Sequence, residues 1–344
     1  MRILLLTCLC LSLLANYSHA QRRTHRISDI QREEWTAEQD RRELHRLALE
    51  LKKIAVHWQK NTRGEYEFIC DNRTFSDYTI EVNFSEFTNL QSEFPLPALI
   101  EAAPGTHPLF VLKKATGGMP VHFQYHYRSF KGRPSPKIDT GFAYLLPVAP
   151  GAETRIYELY NVGNHISGDS KPKDWYALSL HTEAGDTVYA ARRGRVTAVR
   201  DHADLQDSNY AYSSAENFVE IEHNDYSFGK YEVFRDNSIF VHPGEIVEAG
   251  QPIGISGGDK YAGGPQVRFC VFYQQRQDVL DKDGNNTGRT QNWAYVPIYF
   301  WTKDQGKVRL TNKTSYTSEY PEEVITKEMT KKEAKRWKET HKNA

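Results

Sequence analysis

Residues 185–196, GDTVYAARRGRV, and residues 241–254, VHPGEIVEAGQPIG, decide the fold of this chain. In each phrase a glycine ends one short strand and starts the next, and β-branched residues fill the sheet between the glycines. Strand-like stretches flank these phrases, with ALSL at residues 177–180 and NFVEIEH at residues 217–223. The pattern predicts an antiparallel β-sheet domain over residues 141–316.

The rest of the chain divides by composition and periodicity. Residues 61–140 alternate apolar and polar positions in short stretches between turns, which predicts a β-sandwich-like domain. Residues 21–60 form a charged leader with leucines at helical spacing, so we expect it to be partly helical. Residues 317–344 form a charged tail, either a solvated helix or disordered. The predicted fold class is mainly β, with short helices at the termini.

The N-terminus has the pattern of a secretory signal. A basic start precedes an apolar run from Ile3 to Ala15 that is too short to span a bilayer. Small residues at Ser18 and Ala20 then resemble a signal-peptidase site. We expect residues 1–20 to be removed, which leaves no transmembrane segment and places the mature chain outside the cytoplasm.

The charge balance limits which classes of partner the chain can bind, and the cysteine content bears on whether it contains a disulfide. Lysine plus arginine equals aspartate plus glutamate, at 44 each, and this balance argues against nucleic acid as a partner. Removal of the signal leaves Cys70 and Cys270, one in each half of the chain. They could pair in an oxidising compartment or remain two buried thiols, and the sequence leaves both alternatives open.

The glycine phrases, together with GPQVRF at residues 264–269, resemble the lysostaphin/LytM-type zinc endopeptidases, which cleave peptide cross-links of the bacterial cell wall. The resemblance implies the duplicated hybrid motif fold for the C-terminal domain and a secreted or periplasmic place in a bacterial envelope. It also implies a zinc ion with three protein ligands and an open position for water, assisted by two histidines.

Alignment on the glycine phrases places the functional positions of that family. The ligand positions become His165, Ser179 and Arg268, and the assisting histidines become Val233 and Gln266. A serine hydroxyl is neutral, an arginine cation repels a dication, and neither valine nor glutamine can act as a general base. The resemblance therefore implies a degenerate member with no catalytic residue, no metal and no cofactor.

We accordingly expect a non-catalytic protein that binds a peptidoglycan peptide or an envelope protein, such as a cell-wall hydrolase, in the vestigial cleft. The cleft residues we expect are His165, Trp175, Ser179, Tyr231, Val233, Gln266 and Arg268.

Two alternatives stay open. In the first, the chain is an active zinc-dependent peptidoglycan endopeptidase with a relocated ligand set, drawn from His165, His181, His202, His223 and His242. In the second, the domain serves only as a packing unit, and its cleft is closed by side chains or by the loop at residues 210–212.

Overall fold

The computed structural model describes residues 52–160, 174–202, 213, 215–280 and 286–341, with the backbone alone at 276–280 and 286–292. The predicted signal, most of the charged leader, His165 and the loop at 210–212 lie outside the described residues. The contacts below lie within the compact unit formed by residues 56–344. Within the described ranges, no helix combines the length and apolar character needed to cross a bilayer.

The N-terminal strands form a four-stranded sheet and a three-stranded sheet. They are β1 (Ile54–Lys60), β2 (Tyr66–Asn72), β3 (Tyr78–Thr88), β4 (Leu90–Ser92), β5 (Ala98–Ala102), β6 (Gly105–Lys114) and β7 (His122–Lys131). One sheet has the order β1-β2-β6-β4 and the other the order β5-β3-β7. The sequence analysis assigned the residues of β1 to the charged leader, whereas the structure shows a strand there. The strand was not predicted because it forms by pairing with β2, which is a tertiary contact.

Aromatic rings fill the space between these two sheets. Phe68 of β2 stacks on Phe110 of β6 with ring centroids 4.7 Å apart, and it meets Tyr125 of β7 edge-on at 5.0 Å. Phe110 also lies 6.4 Å from Phe84 of β3. Rings that interdigitate across two sheets bury a large apolar area and hold the sheets face to face. The N-terminal part is therefore a sandwich, and the predicted mainly β class is confirmed.

The C-terminal part is built on one large sheet with the order β16-β12-β13-β14-β18-β10-β9-β22, and β19 pairs with β18. Smaller sheets, β11-β17-β15 and β21-β20-β8, complete it. The strands are β8 (Ala143–Leu145), β9 (Glu153–Glu158), β10 (Ala177–His181), β11 (Thr187–Tyr189), β12 (Gly194–Arg200), β13 (Phe218–Glu222), β14 (Phe228–Glu232), β15 (Phe234–Ile239), β16 (Ile246–Val247), β17 (Pro252–Ser256), β18 (Gln266–Leu280), β19 (Asn286–Tyr295), β20 (Tyr299–Thr302), β21 (Gly306–Val308) and β22 (Ser315–Thr317). The ladders of the large sheet are antiparallel, as predicted.

The two faces of the large sheet carry different side chains. One face holds Leu178, Ile221, Val267 and Phe269, all buried in the main hydrophobic core. Successive side chains of a strand point to opposite faces, so the intervening residues lie on the other side. That second face carries charged and polar side chains, and we call it the polar face.

The described part of the charged tail contains two short helices and is anchored by ion pairs. Thr330 and Glu333 form a reciprocal capping box at the start of the second helix. Arg192, only 2% exposed, donates to both carboxylate oxygens of Glu328 at 2.7 and 3.0 Å, and Arg193 pairs with Glu333 at 2.8 Å. The tail therefore lies against the turn between β11 and β12. Its helices are α1 (Glu322–Ile325) and α2 (Lys331–Thr340).

Cys70 and Cys270, the two cysteines among the described residues, are free thiols in this structure. Cys70 lies on β2 of the sandwich, whereas Cys270 lies on β18 of the large sheet. Burial raises the pKa of the Cys70 thiol to about 11 and that of the Cys270 thiol to about 12. Thiols with such pKa values stay protonated near neutral pH and are poor nucleophiles.

Candidate functional site

Strand register brings the aligned ligand positions together. Ser179 on β10 lies directly opposite Arg268 on β18, and Arg268 lies directly opposite Glu232 on β14. Directly opposed residues of antiparallel strands project from the same face of the sheet. Gln266 is two residues from Arg268 on the same strand and shares that face. The polar face thus gathers three residues that the alignment singled out.

These three side chains bond to one another. The Ser179 hydroxyl donates to Gln266 Oε1 at 2.6 Å, and Arg268 Nε donates to the same oxygen at 3.3 Å. The amide nitrogen of Gln266 donates to the Gly264 carbonyl at 3.1 Å. Ser179, Gln266 and Arg268 are each about 4% exposed, so the network is closed to solvent on the described side chains.

A buried carboxylate balances the charge of Arg268. Its guanidinium Nη1 lies 2.8 Å from Glu216 Oε1, and both side chains are at most 5% exposed. The guanidinium carbon also lies 4.9 Å from the centre of the Tyr261 ring. Burial and the neighbouring Glu232 raise the pKa of Glu216, and Arg268 opposes that rise. We call Ser179, Gln266, Arg268 and Glu216 the central network.

The central network does not fit zinc. Catalytic zinc sites use three ligands from histidine, cysteine and carboxylate side chains, whereas here Ser179 is a hydroxyl engaged as a donor and Arg268 is a cation. A dication at this place would lie beside the guanidinium, and the two charges repel. Across the part of the chain that the structure describes, no three His, Cys, Asp or Glu side chains are placed to hold a metal ion.

Val233, which the sequence alignment assigns to the position of an assisting histidine, has a strained backbone. It follows β14, is 2% exposed and has a φ of 73°, which is costly for a β-branched residue. Its N–H donates to the Asn217 carbonyl at 3.0 Å, and its carbonyl accepts from Gly257 N–H at 2.7 Å. These bonds fix the conformation, but the side chain offers no group for proton transfer.

Two of the expected cleft residues lie away from the central network. Tyr231 is fully buried beside Phe269 in the main core, where its hydroxyl accepts from Ala191 N–H at 2.8 Å. Trp175 donates to the Leu159 carbonyl at 3.0 Å and packs in a separate cluster. Strand alternation places Tyr231 on the core side of the sheet, so it cannot line the polar face. His165 is outside the described residues.

The histidines of the relocated ligand set have separate surroundings. The ring of His181 meets Tyr157 at 5.1 Å, whereas that of His223 meets Tyr144 at 5.7 Å. His223 is buried, bonds through Nδ1 to the Arg193 carbonyl at 2.8 Å, and has its pKa lowered by burial to about 3. It is therefore neutral and bound by hydrogen bonding and packing. His202 and His242 are exposed.

Glu216 is the residue that sequence reasoning missed. It lies 52 positions before Arg268 in the chain, in a stretch with no recognised phrase. The available signal was indirect. An arginine at a buried strand position requires an acidic partner, because an unpaired buried guanidinium is too costly. That requirement predicts a partner carboxylate without saying which glutamate supplies it.

A family model and several solved structures are similar to this chain. The model of Peptidase family M23 matches residues 173–280. The lysostaphin catalytic domain of Staphylococcus simulans is 26% identical over 28% of this chain and 65% of its own, with a TM-score of 0.22. That match therefore spans just under two thirds of the lysostaphin chain.

Two further solved structures are similar at lower identity. A chain of the SpoIIQ–SpoIIIAH pore-forming complex is 20% identical, with 44% of this chain and 88% of that one covered and a TM-score of 0.27. Helicobacter pylori Csd3 is 10% identical, with 63% and 70% covered and a TM-score of 0.26. The search of curated proteins gives no match. Residues 173–280 of this chain thus form a peptidase family M23 domain of the lysostaphin/LytM type.

Proposed function

We propose that this chain is an exported envelope protein whose M23 domain binds a peptide or protein partner and does not hydrolyse it. The observation that carries the proposal is the buried ion pair between Arg268 and Glu216, at 2.8 Å. It fills, with a fixed cation and its counter-ion, the place where the family's alignment requires a zinc ligand. Export rests on the signal pattern at residues 1–20, and the proposed domain division remains at residues 140 and 141.

The remaining chemistry of the central network supports binding over catalysis. Hydrolysis by this family requires a metal-activated water and groups that transfer protons. Gln266 uses its carbonyl oxygen to accept from Ser179 and Arg268, and an amide does not titrate near neutral pH. Val233 is apolar. The positions of both assisting histidines therefore hold groups that cannot exchange a proton.

A partner could use Arg268 by replacing its internal counter-ion. A guanidinium binds carboxylates through paired hydrogen bonds, so a peptide carboxylate is the natural competitor of Glu216. Because the pKa of Glu216 is raised by burial, this side chain can leave the pair as a neutral acid at lower cost than an ordinary glutamate. We propose a peptidoglycan peptide or an envelope protein, such as a cell-wall hydrolase, as the source of that carboxylate.

A packing role for the domain is the second candidate, and one observation favours it. Ser179, Gln266, Arg268 and Glu216 are all buried by their own neighbours, as expected for a cleft closed by side chains. The two candidates differ in one measurement, binding to isolated peptidoglycan. If the mature protein co-sediments with peptidoglycan and an added peptide carboxylate prevents this, the result supports the binding function. A mature protein that stays in solution supports packing alone.

The first test of the non-catalytic proposal is the metal content of mature protein purified with excess zinc. We expect less than about a tenth of an equivalent, because a three-ligand site would retain zinc tightly. We also expect no release of amino groups from peptidoglycan. About one equivalent of zinc, lost in His165→Ala or His181→Ala, would instead establish the relocated site and the active endopeptidase.

A further inference from the structure

A cavity of about 410 Å³ lies away from the central network, where three parts of the chain meet. Asp77 of the sandwich, Arg195 and Glu222 of the large sheet, and Thr330 of the tail all line it. The sandwich is fixed there by contacts with the polar face. Ser76 Oγ donates to Glu222 Oε2 at 3.1 Å, and Lys131 pairs with Glu220. A cavity of this size matches an amino acid or a short peptide.

Glu222 supplies an unused acceptor in this cavity. Glu222 is 8% exposed, and its Oε1 atom is buried without a hydrogen-bond donor among the described side chains. Asp77 lines the same cavity, with its carboxylate 3.6 Å from Arg133 Nε. Burial and the nearby Asp77 raise the pKa of Glu222 to about 7. Two acidic groups side by side, one of them lacking a donor, make this end of the cavity suited to a cationic donor.

Arg195 supplies a charge of the opposite sign. It lies directly opposite Glu222 across β12 and β13, yet it is exposed and forms no ion pair with any carboxylate in the described ranges. The other cations near the cavity are already paired, Arg193 with Glu333 and Arg192 with Glu328. Among the described residues that line the cavity, the guanidinium of Arg195 is therefore the cation available to a ligand, although its charge also acts on the Glu222 carboxylate.

We propose that this cavity binds a small zwitterion, with its ammonium between Asp77 and Glu222 and its carboxylate on Arg195. A free amino acid and a short peptide with free termini share this chemistry. Ile246, 48% exposed at the cavity wall, and the ring of Tyr226 offer an apolar surface for an aliphatic side chain. The guanidinium carbon of Arg133, a residue that follows the sandwich strands, lies 3.7 Å from the centre of the Tyr226 ring. A ligand that contacts Tyr226 would therefore lie next to the junction between the sandwich and the large sheet.

The test is calorimetric titration of the mature protein with L-alanyl-L-alanine, its N-acetyl form and its C-terminal amide. We expect saturable one-to-one binding of the free dipeptide and at least about tenfold weaker binding of each blocked form, because each lacks one charge. Titration with L-alanine then assigns the source, since the tighter of the two is the ligand class. No saturation at about 10 mM dipeptide, or equal binding of the blocked forms, would overturn the proposal.

Variants locate the binding in the cavity. Arg195→Met should weaken binding of the free dipeptide about tenfold and leave that of the amide unchanged, because the amide has no carboxylate to lose. Glu222→Gln should weaken the free dipeptide and leave the N-acetyl form unchanged. Arg155→Met, at another exposed strand arginine, is the matched control and should have no effect. Wild-type affinity in Arg195→Met would place the ligand elsewhere and refute this site.

Discussion

Removing Glu216 should destabilise the protein more than removing its partner Arg268. The two charges lie 2.8 Å apart in a site where both side chains are at most 5% exposed. At an effective dielectric constant of about 20, charges at that separation attract by ~6 kcal/mol, much of which offsets their desolvation. Breaking a buried pair by removing one partner typically costs about 3–5 kcal/mol.

The asymmetry follows from the chemistry of the group left behind. In Glu216→Leu the guanidinium stays charged at every accessible pH, so we expect the full ~3–5 kcal/mol loss. In Arg268→Met the remaining carboxyl can bind a proton, since burial already raises its pKa, so the loss should be smaller below pH 7. The double variant should regain most of the stability, because no buried charge remains.

Urea unfolding of the mature protein at pH 6 and pH 8 measures these changes as shifts in midpoint at constant slope. Arg268→Met should become more destabilising at pH 8. The destabilisation by Glu216→Leu, relative to the wild type, should be smaller at pH 8 than at pH 6, because the wild type loses part of its stability as the buried Glu216 carboxyl ionises. Leu99→Gln, at an exposed sandwich position, serves as a control. A loss below about 1 kcal/mol in Glu216→Leu would refute the buried pair, and a double variant as unstable as the worse single variant would refute the charge argument.

Three further outcomes test other parts of the structure. The pKa of Glu222 is raised from 4.5 to about 7 in the folded chain, so the stability that its protonated form contributes is complete below about pH 4.5 and is lost as pH rises through 7. In Glu222→Gln, about 3 kcal/mol of this pH dependence of the unfolding free energy should disappear. An unchanged pH profile of unfolding in this variant would contradict the raised pKa. Because the φ of Val233 is 73°, urea unfolding should show Val233→Ala to be about 1 kcal/mol less stable than Val233→Gly, the reverse of the order at an ordinary strand position. The alignment predicts that the double variant Ser179→Asp, Arg268→His binds about one equivalent of zinc, measured by elemental analysis. Adding His165→Ala should abolish that binding. Retention of zinc in the triple variant would show that His165 is not the third ligand.

The glycine phrases were sufficient to predict the large sheet because they encode local geometry. A Cβ placed on Gly194 would lie 2.4 Å from the Glu222 carbonyl oxygen, so only glycine fits where β12 begins beside β13. Such constraints act between neighbouring strands and remain visible in the sequence. They fixed the alignment that singled out Ser179 and Arg268, and the strand pairing of the structure places these two residues opposite each other.

Side-chain direction was predicted less well, although the information was present. Tyr231 belongs to the same phrase as Val233 and was expected in the cleft, but the structure buries it beside Phe269 on the core face. The alternation of β14 alone would have separated it from Glu232, which shares the polar face with Arg268. A sequence motif identifies residues that lie near one another, but the alternation of side chains along a strand decides which of them project from the same face of the sheet.

The sequence by itself determined the strand-rich fold and the M23 phrases, and it supplied the alignment on which the predicted loss of zinc ligands rests, because these depend on residue identity and short spacing. Only the tertiary structure decided that Glu216 neutralises Arg268 and that Glu328 and Glu333 anchor the charged tail to Arg192 and Arg193. A buried guanidinium requires a carboxylate, but any of several glutamates could supply it. Which one does so depends on how distant segments meet in three dimensions, and spacing along the chain carries no record of that choice.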